Sequence, residues 1–187
     1  MQKSKIILAI TGASGSIYAR NLIEKFKSLN NQIDEIAVIF SDNAIDIWKH
    51  ELGDLPFFEK SFKVYDNKNY FAPFASGSSS YNIMIICPCS MGMLGRIATG
   101  VSTDLVSRAA DVMLKEKKRL IIVPRETPYN LIHINNMQVL TQAGAIICPA
   151  TPSFYNHPQT IDDLVNTVVD RVVDLSKLSN KTFRWGE

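Results

Sequence analysis

Ile83-Met84-Ile85-Ile86-Cys87-Pro88-Cys89-Ser90-Met91-Gly92-Met93-Leu94-Gly95-Arg96-Ile97-Ala98-Thr99-Gly100 is the stretch that decides the fold. Its first five residues are an unbroken apolar run, the pattern of a strand buried on both faces. From Pro88 onward, small residues and hydroxyls stand where a helix should begin. A helix N-terminus has unpaired backbone N–H groups and a partial positive charge, so such a turn suits an anion. The start of the chain repeats the arrangement. Lys5-Ile6-Ile7-Leu8-Ala9-Ile10 reads as a strand, and Thr11-Gly12-Ala13-Ser14-Gly15-Ser16 as a small-residue turn into a helix. Two strand–turn–helix sites in one chain point to a ligand held at two places.

Outward from these turns, apolar strands alternate with helical periodicity. Ala19, Leu22, Ile23, Phe26 and Leu29 mark one helical face. Glu35 to Ile39 reads as a second strand, with Ser41 and Asp42 opening a helix behind it. Residues 52 to 82 are less regular, and Ser76-Gly77-Ser78-Ser79-Ser80 reads as a loop near the site. A helix beginning near Ser102, a strand over Arg119 to Val123, a helix around Leu131 to Ala143 and a strand over Ala145 to Cys148 follow. The last helix carries Ile161, Leu164, Val165, Val168, Val169, Val172 and Val173 on one face, and Thr160 with Asp163 resembles a capping box. Strands separated by helices imply α/β architecture, a central parallel sheet with helices on both faces. Such sheets bind ligands beyond the carboxyl ends of their strands, where every small-residue turn above falls. The expected ligand is a mononucleotide or dinucleotide. Gly12-Ala13-Ser14-Gly15 is neither the G-x-G-x-x-G nor the P-loop pattern, and alone it is a weak signal.

The bulk numbers agree with one globular domain over residues 1–187: 46% of residues are hydrophobic and 20% charged. A net charge of +2 gives no case for nucleic acid. No run approaches the roughly 20 apolar residues of a membrane span. Met1-Gln2-Lys3-Ser4-Lys5 lacks the features of a signal peptide, so a cytoplasmic location is expected. The three cysteines, Cys87, Cys89 and Cys148, lack metal-ligand spacing and read as small buried hydrophobes.

Six blocks, in order along nearly the whole chain, resemble the flavin prenyltransferase (UbiX-like) family. They are Thr11 to Gly15, Ala75 to Ser78, Pro88 to Gly100, Arg108 to Val112 with Leu114-Lys115-Glu116, Pro124-Arg125-Glu126-Thr127-Pro128, and Pro149-Ala150 followed by Phe154-Tyr155. The resemblance implies a Rossmann-like, flavodoxin-like three-layer fold that binds FMN. It implies transfer of a dimethylallyl group from dimethylallyl phosphate to N5 and C6 of reduced FMN. The prenylated flavin would serve UbiD-type decarboxylases, and the protein would assemble as a homododecamer with sites between subunits.

Carried over by the resemblance, the FMN contacts are Gly12, Ala13, Ser14, Ser41, Ser90, Met91, Gly92, Met93 and Arg125. Arg108, Lys115, Glu126, Tyr155 and Arg171 match positions for the substrate phosphate. Ser76 is a further site position, and Trp185, in the C-terminal segment 176–187 read as an arm, is an aromatic one. Glu126 and Glu51 match the acid/base carboxylates, and Ser14 lies beside flavin N5. These residue types suit the chemistry: cations and an acid surround a departing phosphate, π-faces surround a carbocation-like C5 unit, and proton removal at C6 needs a base. No metal is expected, because Asp162-Asp163-Leu164-Val165-Asn166 fails the aspartate-rich D-D-x-x-D pattern at its fifth position.

Two departures stand out. Met93 replaces the second hydroxyl of the family's Ser-Met-Gly-Thr, and Gly95-Arg96 replaces a small apolar pair, which reads as altering the helix surface more than the site. Read without the resemblance, Arg108 and Lys115 share a solvated helix face, Arg171 borders an apolar stripe, and Glu51 is an exposed carboxylate. Two other functions are open: an FMN-dependent cysteinyl-peptide decarboxylase, whose P-x-M-N-x-x-M segment is here Pro124-Arg125-Glu126-Thr127-Pro128, and a flavin carrier without chemistry.

Overall fold

In the computed structural model, residues 3–184 and Gly186 are described. Six strands, β1 (Ser4–Ile10), β2 (Ile33–Phe40), β3 (Phe62–Tyr65), β4 (Ile83–Cys89), β5 (Arg119–Pro124) and β6 (Ile146–Ile147), form one sheet in the order β3-β2-β1-β4-β5-β6. Every pairing is parallel. The helices are α1 (Ser16–Ser28), α2 (Ala44–Leu52), α3 (Met91–Ala98), α4 (Leu105–Lys115), α5 (Leu131–Gln142) and α6 (Ile161–Leu175).

The central strands are apolar on both sides because both sides are covered. Along β1, Ile6, Leu8 and Ile10 pack into a core shared with α1, α2 and α6. Ile7 and Ala9, which point the other way, join a second core with α3 and α4. These cores make the three expected layers of a flavodoxin-like α/β fold.

The one strand the sequence pattern missed is β3. It is a four-residue edge strand in which only Phe62 is buried and Val64 is 55% exposed, so no periodicity marks it. Without it the order is that of a flavodoxin; with it, that of a Rossmann sheet. The capping box of α6 is present: Asp163 N donates to Thr160 Oγ1 at 3.0 Å and Thr160 N to Asp163 Oδ2 at 3.0 Å. Ile161, expected on the buried stripe, is 72% exposed as the first residue of α6, and the stripe is buried only from Val165 onward. Residues 180–184 lie back along α6, where Asn180 and Thr182 donate to Asp170 and Arg184 pairs with Asp174.

The chain after β1 runs to one side of the sheet and the chain after β4 to the other, which makes the β1/β4 boundary the topological switch point. Both small-residue turns that open the sequence argument leave the sheet there.

Candidate functional site

The two turns are stitched together by Thr11. Its side chain is buried, Oγ1 donates to the Pro88 carbonyl at 2.8 Å, and Oγ1 accepts from Ser90 N at 2.8 Å. Thr11→Val keeps the shape but leaves the Ser90 N–H without that acceptor. A loss of about 2 kcal/mol in unfolding free energy by urea titration is expected, with Thr11→Ser near wild type. Equal stability of all three proteins would count against the stitch.

The helix start after the second turn faces outward. Ser90 caps α3, its Oγ accepting from Met93 N at 3.3 Å. The Met91 and Gly92 N–H groups have no partner within the helix. A Cβ placed on Gly92 would meet nothing within 4 Å, so that first turn stays open.

The helix start after the first turn is already filled. Glu51, from α2, accepts from Gly15 N at 3.0 Å and Ser16 N at 2.7 Å. Gly15 reaches this geometry at φ 114°, in the left-handed region that glycine enters without strain. Burial works to raise the Glu51 carboxyl pKa. Hydrogen bonds from the Ser14 and Ser16 side chains and the Ser16 and Gly15 backbone outweigh it, and the net value lies below the ordinary 4.5. The sequence-level alternative of a merely exposed Glu51 is therefore not what the fold makes of it. Its stabilising effect belongs to the ionised form, so it is present above about pH 4.5 and is lost as pH falls through the lowered folded value. The gap in thermal midpoint between wild type and Glu51→Gln should narrow from about pH 6 to about pH 3. A gap that stays constant would contradict the anchor.

Between the switch-point turns and the loops after β2 and β3 lies a cleft of about 430 Å³. Gly12, Ser41, Ser90 and Gly92 line it, four of the nine expected FMN contacts. Gly12 permits a close approach: a Cβ there would stand 2.9 Å from Asn43 Cβ. Ala13, Met91 and Met93 are buried beside it. Two serine hydroxyls, an open helix start and a glycine floor form a donor set that fits a phosphate-bearing flavin. Asn67, Lys68 and Arg96 also line this cleft, and sequence reasoning assigned none of them to it. Asn67 is the structural one: its backbone O accepts from Leu105 N at 2.7 Å and its Nδ2 donates to Asp42 Oδ1 at 3.2 Å.

Ser14, Glu51 and Arg125 come together at the neighbouring strand ends. The Ser14 hydroxyl bonds to Glu51, and Arg125 Nε donates to the Ser14 carbonyl at 2.8 Å. Glu126 follows Arg125 at the end of β5, exposed, its Oε1 accepting from Thr127 N at 3.0 Å.

The expected substrate-phosphate residues fall into two groups on opposite layers. Tyr155 and Arg171 line one cleft of about 550 Å³, together with Arg184. It sits on the α6 side. Ser76, Arg108 and Lys115 lie on the α4 side. Arg108 Nε donates to the Ala75 carbonyl at 3.1 Å and its Nη1 pairs with Asp111 at 2.9 Å. Lys115 pairs with Glu116 in the last turn of α4. That turn leads into the start of β5, at the amino edge of the sheet and away from the switch-point cleft. Trp185 lies outside the described residues.

The thiols are poor nucleophiles. Burial pushes Cys89 up to about 12 and Cys87 well above its ordinary value, and raises Cys148 as well. Among the described residues no three His, Cys, Asp or Glu side chains are grouped to hold a metal ion.

A Flavoprotein family model matches residues 1–173, the class of protein that this sheet order and switch-point cleft define. Among curated relatives, the flavin prenyltransferase UbiX of Methanocaldococcus jannaschii is 44% identical, covering 97% of this chain and 98% of its own length. The chain belongs to the flavin prenyltransferase (UbiX) family. Solved structures agree. A dodecameric protein of Escherichia coli O157:H7, described as an FMN-dependent UbiX-like decarboxylase, superposes with a TM-score of 0.88 at 36% identity over 98% of this chain and all (100%) of its own. A UbiX solved in complex with FMN and dimethylallyl pyrophosphate gives 0.85 at 35% identity, covering 98% and 100%.

Proposed function

We propose that this chain is a flavin prenyltransferase, acting as a single FMN-binding domain in the cytoplasm. It moves a dimethylallyl group from dimethylallyl phosphate to N5 and C6 of reduced FMN, and the prenylated flavin passes to a UbiD-type decarboxylase. The observation that carries the reading is the switch-point cleft lined by Gly12, Ser41, Ser90 and Gly92, with Ser14, Arg125 and Glu126 at the adjoining strand ends. Reduced FMN supplies the nucleophilic nitrogen and carbon that accept the prenyl group.

The protein's own residues do the rest. The hydroxyls and first-turn N–H groups at α3 hold the flavin phosphate. Arg125 fixes the Ser14 turn through its carbonyl. Glu51 accepts a hydrogen bond from Ser14, its carboxyl held below its ordinary pKa, and it matches the second acid/base position beside the flavin. Glu126, exposed at the carboxyl edge of the sheet beside Arg125, is placed to serve as the acid/base group for the departing phosphate. Arg108, Lys115, Tyr155 and Arg171 hold that phosphate while the allylic C–O bond breaks, and Ser76 and Trp185 complete the pocket.

Because Lys115 and Arg171 lie on opposite layers of one chain, the complete pocket is shared between copies in a homo-oligomer. Leu131, Ile132 and Ile134, exposed on α5, give such copies apolar surface to bury. The dodecameric Escherichia coli relative supports assembly as a homododecamer. The cysteinyl-peptide decarboxylase reading is disfavoured by Arg125-Glu126-Thr127 after β5, where that class carries P-x-M-N-x-x-M.

Anaerobic incubation with reduced FMN and dimethylallyl phosphate should release inorganic phosphate, one per flavin, only when both are present. Release without flavin would mark a phosphatase, and no release would contradict the transferase. Repeating the assay with the diphosphate separates the two donors.

A further inference from the structure

Arg96 is an unusual residue for its position. It sits on α3, one turn beyond Met93, and lines the switch-point cleft beside Gly12, Ser41 and Ser90. Its Nε is buried without a hydrogen-bond partner among the described residues, while its side chain as a whole stays 40% exposed. The contacts it has are weak. Nη2 stands 3.5 Å from Asp104 Oδ2 and 3.8 Å from the Met93 sulfur. Asp104 is otherwise engaged, its Oδ1 capping α4 through Ser107 N at 2.7 Å. A guanidinium presents five N–H donors in a planar fork, so most of this fork is unspent beside an open helix start.

Two acidic groups share the cleft. Asp42 accepts from Asn67 Nδ2 at 3.2 Å, and Asp104 faces Arg96 itself. A phosphate brought to the α3 start therefore needs a cation to offset them. Lys68 and Arg96 both line the cleft, and Arg96 is the one that stands on α3 itself. The hydroxyl that the family pattern carries at position 93 is missing here, because Met93 has none.

We propose that Arg96 binds the phosphomonoester of FMN and makes this chain select FMN over riboflavin, supplying the anion contact that Met93 does not. This inference rests on the flavin reading of the cleft. The guanidinium fork would reach the phosphate oxygens from the side of α3, while the Met91 and Gly92 N–H groups meet them end-on. As a residue distinct from the bond-making machinery, Arg96 acts on affinity and flavin choice.

The test is equilibrium binding of oxidised FMN and of riboflavin, by quenching of flavin fluorescence, to wild type, Arg96→Ala and Arg96→Gln. The glutamine keeps most of the side-chain length and guards against a folding defect in the alanine variant. FMN affinity should fall about 10- to 100-fold in both variants, with riboflavin affinity within about twofold of wild type. Equal losses for both flavins, or no loss for FMN, would overturn the proposal while leaving the flavin cleft standing. A wild type that binds neither flavin would overturn the flavin reading and this inference together.

Discussion

Glu126→Gln should lower prenyl transfer by about 10²- to 10⁴-fold with FMN affinity unchanged. The residue ends β5 at the carboxyl edge of the sheet, next to Arg125, whose Nε is committed to the Ser14 carbonyl. Among the described residues the Glu126 carboxyl is bonded only by the local Thr127 N–H, so it is available to a departing phosphate. Its neighbour in role, Glu51, is not. Two backbone N–H groups and the Ser14 and Ser16 hydroxyls hold that carboxyl below its ordinary pKa. The variant therefore separates an enzyme from a flavin carrier. Single-turnover transfer and flavin affinity are measured side by side. Unimpaired transfer in Glu126→Gln would assign the proton to another group.

Lys115→Ala and Arg171→Ala should each reduce kcat/KM for the prenyl phosphate by about 10²-fold or more, and mixing the two variants should restore activity. In one chain these cations lie on opposite layers, and Lys115 is at the amino edge of the sheet. When each site draws Lys115 from one copy and Arg171 from another, a randomly mixed oligomer holds intact sites at about a quarter of its interfaces. Activity of the co-expressed pair should rise toward that level. Activity no higher than that of either variant alone would mean that both residues serve the site of their own chain.

Much of the fold was legible in the sequence because burial on both faces leaves long apolar runs. Ile83 to Cys87 and Lys5 to Ile10 announce β4 and β1 without ambiguity, and Thr160 with Asp163 marks the start of α6. The parallel sheet followed from their alternation with helices. β3 was not legible, since a four-residue edge strand with one buried side chain leaves no pattern.

The site was legible in part. Gly12, Ser41, Ser90 and Gly92, carried over from a family resemblance, line one cleft. The work of Glu51 was not legible, because its partners Gly15 and Ser16 are 36 and 35 positions away and no local rule connects them. In the sequence alone Arg96 reads as helix surface for a similar reason. Its face of α3 is set by how the loops after β2 and β3 fold across it, and the long-range bonds of Asn67 to Leu105 and Asp42 hold that cover in place. The opposite-layer placement of Lys115 and Arg171 likewise comes from the strand order.

The most direct test of the central claim is the mass of the flavin recovered after anaerobic reaction of the protein with reduced FMN and dimethylallyl phosphate. The expected product is FMN heavier by one C5H8 unit, with the prenyl carbons bonded to N5 and C6. Recovery of FMN of unchanged mass from a protein that demonstrably binds it would contradict the assignment.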